Sequence, residues 1–212
     1  MSLDLIDRLA GELAPAPRGA VTRRLALGTG AGALASAAVL FANIGLRPDL
    51  AQAAGEAMFW VKLGYVAALA LVAAALVERL ARPGRLTGHL GAWLALPCAA
   101  VVVVAALQWM QAPAAERPAL TMGHSAALCP WLILALSLPP LAGLVWAVRG
   151  LGPTRLRAAG AAVGLAAGGV GATIYCLHCD EGGAPFLAIW YTLALAGAAA
   201  AGALIGPRAL RW

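Results

Sequence analysis

The chain has 212 residues, of which 62% are apolar and 11% charged, with a mean hydropathy of +0.84 and a formal net charge of +6. That composition lies outside the range of water-soluble globular domains and reads as an integral membrane protein. The basic residues are dispersed rather than clustered, so they fit topology anchors and lipid head-group contacts and not direct binding of nucleic acid.

Residues 1–14 read as a short amphipathic helix, with Ser2 as N-cap, Asp4 suited to the first-turn dipole, and Pro15 and Pro17 ending it. Leu5 or Ile6, Leu9 and Leu13 form one apolar stripe opposite Asp4, Asp7 and Glu12. A helix of this length is marginal alone in water. It needs a surface, and its acidic polar face favours a protein partner over a lipid one.

Crossing a hydrocarbon core of ~30 Å takes ~20 apolar residues in a helix. Six such stretches follow, at about 25–46, 58–77, 90–110, 130–148, 156–177 and 186–205. The first begins after 24 residues of mixed polarity and is long enough to span, so it reads as a retained helix rather than a cleaved leader. The expected organisation is an all-α bundle of six transmembrane helices, residues 25–212, preceded by a partner-binding cytoplasmic arm, residues 1–24. No loop is long enough for a separate soluble catalytic module.

Orientation follows from arginine placement. Arg8, Arg18, Arg23 and Arg24 precede the first span, Arg79, Arg82 and Arg85 follow the second, Arg149, Arg155 and Arg157 follow the fourth, and Arg208 and Arg211 follow the sixth. Arg47 and Arg117 fall on the other side. Both termini of this multi-pass membrane protein are therefore expected in the cytoplasm. The loop after the fifth span then faces outward.

Within the spans, Gly28-x3-Gly32-x3-Ser36 and Gly160-x3-Gly164-x3-Gly168 place small residues on one helix face, where backbones can approach closely. Pro97, Pro139 and Pro140 fall in or near helix interiors. Trp60, Trp109, Trp131 and Trp190 lie near outer span ends, and Trp93, Trp146 and Trp212 near inner ones. Lys62 is the one charge inside a span, and it is expected to snorkel to the outer interface. A coupled ion transporter normally carries a pathway of intramembrane acids or bases, which this chain lacks.

Reactive side chains concentrate in Tyr175-Cys-Leu-His-Cys-Asp-Glu-Gly-Gly-Ala-Pro185. Of the four cysteines, Cys98 lies deep in an apolar run and reads as a small packed hydrophobe. Cys129 and Cys179 sit at one membrane level on neighbouring outward loops, so a disulfide between them is geometrically available. Cys176 can instead pair with Cys179 in a C-x-x-C unit enclosing His178, a spacing shared with thiol oxidoreductases. His124, His178, Cys179, Asp180 and Glu181 together offer a mixed metal-ligand set, and the plain alternative is a solvated tight loop.

A run of separated motifs now carries a resemblance. Asp4-Leu-Ile-Asp-Arg-Leu-Ala10, Pro15-Ala-Pro-Arg18, Gly45-Leu-Arg-Pro-Asp-Leu50, Phe59-Trp-Val-Lys62, Leu136-Ser-Leu-Pro-Pro140, Trp146-Ala-Val-Arg149, Pro153-Thr-Arg155, Gly171-Ala-Thr-Ile-Tyr175, Leu177-His-Cys179 with Glu181, Trp190-Tyr191 and Leu210-Arg-Trp212 resemble the NrsF-type anti-sigma factors almost end to end. The resemblance implies a six-span inner-membrane regulator, not an enzyme, with no cofactor and no resident metal. Its implied partner is an extracytoplasmic-function sigma factor, held through the arm by Leu5, Ile6, Leu9, Leu13, Asp4 and Asp7. It further implies that Cys129 and Cys179 are the signalling pair, sensing a redox or thiol-reactive metal stress, with His178 and Glu181 supporting the loop. Cys176 stands where the family has a small residue, which leaves the pairing among three thiols open. The alternative from another class is a membrane thiol-disulfide oxidoreductase using the C-x-x-C loop, which needs no N-terminal arm.

Overall fold

The computed structural model describes Gly11, Pro17, residues 19–84 and residues 87–211. The expected amphipathic arm helix, with Asp4, Leu5, Ile6, Asp7, Leu9 and Leu13, lies outside the described residues, as do Arg85 and Trp212. All regular structure among the described residues is helical. Six helices are long and apolar enough to cross a membrane: α1 Ala20–Asn43, α2 Ala57–Leu80, α3 Gly88–Gln111, α4 Cys129–Arg149, α5 Leu156–Tyr175 and α6 Ala184–Ala209. Short helices Leu50–Ala53 and Arg117–Met122 sit in the α1–α2 and α3–α4 connections. The six expected spans are all present, with α1 starting a little ahead of its expected residue.

The bundle is organised around α5, because 12 of its 20 residues are Ala or Gly and therefore let other backbones in from several sides. Gly160 and Gly164 meet the carbonyls of Gly202 and Ala198 on α6. A Cβ on Gly169 would lie 2.7 Å from the Ala70 methyl of α2, and one on Gly171 would lie 2.8 Å from the Ser137 backbone nitrogen of α4. Three faces of one helix are thus spent on three neighbours, and α5 is the most buried of the six. By contrast α3 is the least buried of the six and is the outlying helix.

The other small-residue stripe joins α1 to α4. Gly28 abuts Gly143, Gly32 rests on Pro140, and Ser36 Oγ donates to the Leu136 carbonyl at 2.6 Å. That carbonyl belongs to the turn before Pro139 and Pro140, whose missing N–H groups leave acceptors free within α4. A serine from the neighbouring helix fills one of them.

At the end of the bundle carrying the chain termini, Arg24 donates to the carbonyls of Ala147 at 2.9 Å and Trp146 at 3.2 Å while stacking on the Trp146 ring. Glu78 of α2 accepts from Thr22 of α1 at 3.2 Å and from Arg82 at 2.6 Å. Around the barrel of helices the outward face is hydrocarbon: Leu34, Leu71 and Leu204 are each more than 70% exposed. Trp60, Trp93, Trp109, Trp131 and Trp146 also point outward. Such a continuous apolar exterior needs a non-aqueous or protein surround.

Candidate functional site

The end of the bundle opposite the termini gathers the α1–α2, α3–α4 and α5–α6 connections, and the reactive residues sit among them. Helix α5 stops at Tyr175, whose carbonyl accepts from the N–H groups of His178 at 2.9 Å and Cys179 at 3.0 Å. This closing turn sets Cys179 one turn beyond Cys176. Gly183 and Pro185 then start α6, proline occupying a first-turn position where its missing N–H costs nothing. A π-type turn, Leu187–Tyr191, follows and brings Tyr191 inward.

From the other side, α4 opens with Cys129, whose N–H donates to the Ser125 carbonyl at 2.8 Å. Cys129, Cys176 and Cys179 are all buried, at 0%, 0% and 3% exposure, in one core with Tyr65, Tyr175, Phe186 and Tyr191. All four cysteines are free thiols in this structure. The side chains of Cys129 and Cys179 face each other closely enough for their thiols to interact. Cys98 is half-buried at the edge of the same core, on α3.

Lys62 does not snorkel. It is 3% exposed, and its Nζ donates to the carbonyls of Cys179 at 2.9 Å and Glu181 at 2.8 Å. The expectation failed because an extended loop presents the Cys179 and Glu181 carbonyls inside the bundle, a nearer home for the ammonium than the interface. Arg47 reinforces the same loop from the α1–α2 connection. Its N–H donates to the Leu177 carbonyl at 3.1 Å, while its guanidinium grips Asp49 bidentately at 2.7 and 2.8 Å. His178 Nδ1 lies 3.1 Å from the carbonyl of Gly45, the residue in left-handed conformation that ends the turn after α1.

Glu181 ties this loop to the α3–α4 connection. Its Oε1 accepts from the N–H groups of His124 at 2.8 Å and Ser125 at 2.9 Å, and from Ser125 Oγ at 2.8 Å. The His124 ring sits between two acids, Nδ1 at 3.1 Å from Glu181 and Nε2 at 3.1 Å from Asp180. Gly123 has a φ of +52°, and any Cβ there would overlap the Glu181 carboxylate. The loop that carries Cys179 is thereby clamped to the loop that precedes Cys129.

The two loop thiols have opposite characters. Cys179 is pushed down to about 6 from its ordinary 9.0, chiefly by its interaction with the Cys129 thiol, with Lys62, Tyr191 and the Glu181 N–H adding to the effect against burial. Cys176 is pushed up to about 12 by burial. Cys179 is therefore the more acidic of these two thiols. The Tyr191 hydroxyl faces these sulfurs, fully buried and without a well-aligned hydrogen bond.

Of the residues singled out from sequence, Cys129, Cys176, Cys179, His178 and Glu181 converge here, and the arm residues lie outside the described part. Sequence reasoning singled out Lys62 but sent it to the interface, and gave Tyr191 no role in the site. The available signal for Lys62 was its solitude, one cation in an otherwise apolar span. Among the described residues no set of three or more His, Cys, Asp or Glu side chains is arranged to hold a metal ion.

Comparison with known proteins places this geometry in a context. The model of the NrsF family, described as "Negative regulator of sigma F", matches residues 9–212. The probable anti-sigma-F factor NrsF of Azospira oryzae is 41% identical over 209 residues, covering 99% of this chain and 98% of that protein. The anti-sigma-F factor NrsF of Caulobacter vibrioides is 42% identical over 212 residues, with the same coverage of both chains. No solved structure matches.

Proposed function

The chain belongs to the NrsF family of negative regulators of sigma F, and on that premise we propose that it is a membrane anti-sigma factor. It holds an extracytoplasmic-function sigma factor at the cytoplasmic face of the inner membrane and releases it when its outward cysteines are modified. The six long apolar helices, the hydrocarbon exterior and the arginines gathered on the side of the termini support that placement. The amphipathic arm, with Leu5, Ile6, Leu9 and Leu13 flanked by Asp4 and Asp7, is the sigma-binding segment.

The observation that carries the sensing half is the facing of Cys129 and Cys179 across the α3–α4 and α5–α6 connections. Attack of the Cys179 thiolate, with loss of the Cys129 proton and transfer of two electrons to an oxidant, joins α4 to the α5–α6 loop through a disulfide. Both sulfurs are buried, so a small oxidant or thiol-reactive metal reaches them more readily than a protein dithiol does. That burial favours a sensor over the thiol-disulfide oxidoreductase reading, in which the reactive cysteine must meet a partner's sulfur. Release of the sigma factor tenfold requires only ~1.4 kcal/mol of differential affinity between the two states.

The test is co-purification of the sigma factor, identified by mass spectrometry, with intact protein and with a variant carrying Leu5→Asp, Ile6→Asp and Leu9→Asp. Recovery with the former and loss with the latter is the expected outcome. Equal recovery from both removes the arm from the mechanism.

A further inference from the structure

Lys62 is unexplained by packing. A buried ammonium carries a desolvation penalty unless acceptors and counter-charge offset it. Two of its three N–H groups go to the carbonyls of Cys179 and Glu181. Among the described residues neither contact is to a carboxylate, so the hydrogen bonds alone supply no formal negative charge. The Glu181 side chain points the other way, to His124 and Ser125, and Arg47 is committed to Asp49. The anionic candidate within the same cluster is the Cys179 sulfur, on the residue whose carbonyl Lys62 already holds.

We propose that Lys62 is the positioning residue that converts the chemical state of Cys179 into a movement of α2: it is anchored to the α5–α6 loop by two carbonyls and by the Cys179 thiolate as its counter-charge. This inference rests on the redox reading above. When a two-electron oxidant joins Cys179 to Cys129, one S–S bond forms, the Cys129 proton leaves to solvent, both electrons go to the oxidant, and the thiolate charge disappears. The ammonium then remains buried with carbonyl dipoles alone, and α2 lowers its energy by withdrawing Lys62 toward water. Because α2 also carries Glu78, bonded to Thr22 of α1 at the far end, displacement of α2 reaches the base of the helix that the arm leads into. The direct effect of Lys62 on the thiol is in keeping with this pairing, since its charge is among the influences that hold Cys179 in the thiolate form.

The groups facing Cys179 from the elements around it are Lys62 of α2, Arg47 of the α1–α2 connection, Cys129 of α4, Tyr175 of α5, Cys176 just beyond it and Tyr191 of α6. Substituting Lys62 therefore leaves the other influences in place, and its part can be read separately.

The experiment uses full-length protein in detergent with its bound sigma factor, as wild type, Lys62→Met and Lys62→Arg. Thiolate absorbance near 240 nm, taken as a difference against Cys179→Ser, is titrated from pH 4.5 to 10. The expected midpoint is near 6 for wild type, moves up by about one unit or more in Lys62→Met, equivalent to a tenfold loss of thiolate on the acid side, and is restored in Lys62→Arg. In parallel, retained sigma factor is measured before and after diamide treatment. Lys62→Met is expected to form the Cys129–Cys179 disulfide yet retain the same amount of sigma factor in both states, and Lys62→Arg to release it as wild type does. A Lys62→Met protein that titrates like wild type, or that releases sigma factor like wild type, overturns the proposal. If wild type itself retains sigma factor equally before and after oxidation, the redox reading falls, and the titration alone decides whether Lys62 and Cys179 are paired.

Discussion

Truncating Glu181 is the cleanest way to unlink the two loops that carry the paired cysteines. Its Oε1 receives two hydrogen bonds from Ser125 and one from the His124 backbone, with the His124 ring at 3.1 Å. Hydrogen bonds to a charged acceptor contribute about 1.5–3 kcal/mol each. The His124 side chain is 68% exposed, so water replaces what it loses. Counting only the two bonds to Ser125, at the low end of the range, Glu181→Ala costs about 3 kcal/mol of local stability. That corresponds to a ~150-fold rise in the open population of the α3–α4 connection at unchanged global fold. Hydrogen exchange followed by mass spectrometry on the peptide spanning Gly123–Leu128 measures it directly. Exchange of the His124 and Ser125 amides is expected to accelerate by about two orders of magnitude, with that of α5 unchanged. Gly123→Ala is expected to reproduce the effect, because its Cβ displaces the same carboxylate from a residue already at positive φ. Exchange within threefold of wild type in Glu181→Ala would show that the loops are held by something other than this carboxylate.

Three further outcomes follow from the geometry. On diamide treatment Cys176→Ser is expected to form the same intramolecular disulfide as wild type, and Cys129→Ser to lose it, as read by non-reducing peptide mapping; a Cys176–Cys179 bridge in wild type would reverse the assignment. The folded state holds Cys179 near 6 against an ordinary 9.0, so between those values the unfolded chain binds the extra proton. The stabilisation from this thiolate is therefore complete above about pH 9 and lost as pH falls through about 6, and the melting-temperature gap between reduced wild type and Cys179→Ser is expected to shrink over that window. Gly164→Val drives a side chain into the Ala198 carbonyl of α6 and is expected to cost about 3 kcal/mol or more, whereas Gly30→Ala, with nothing within 4 Å, is expected to leave thermal unfolding in detergent undiminished or raise it slightly through the better helix propensity of Ala.

The spans were legible because their length and hydropathy are set by the thickness of a bilayer, and the glycine stripes because close helix approach admits only the smallest residues. Gly28, Gly32 and Ser36 on one side and Gly160, Gly164 and Gly168 on the other do make the contacts their spacing implied. What spacing along one helix cannot convey is a contact between distant loops. Glu181 reaches Ser125 across 56 residues and Lys62 reaches Cys179 across 117, each joining helices that only the folded bundle brings together. The facing of Cys129 and Cys179 was open to sequence because both lie at the same end of adjacent spans. The unequal acidity of Cys179 and Cys176 was not, since it depends on which sulfur faces the Cys129 thiol and the Glu181 N–H. The central place of α5 was likewise hidden: its two extra glycines, Gly169 and Gly171, look like ordinary small residues until α2 and α4 are seen resting on them.

The most direct test of sensing coupled to sequestration is to purify the intact protein with its sigma factor under reducing conditions, oxidise half with diamide, and quantify the sigma factor retained by each half. Retention at least tenfold lower in the oxidised half, abolished as a difference by Cys129→Ser with Cys179→Ser, is the result expected of a redox-gated anti-sigma factor. Equal retention in both halves, with the disulfide confirmed by mass spectrometry, contradicts it.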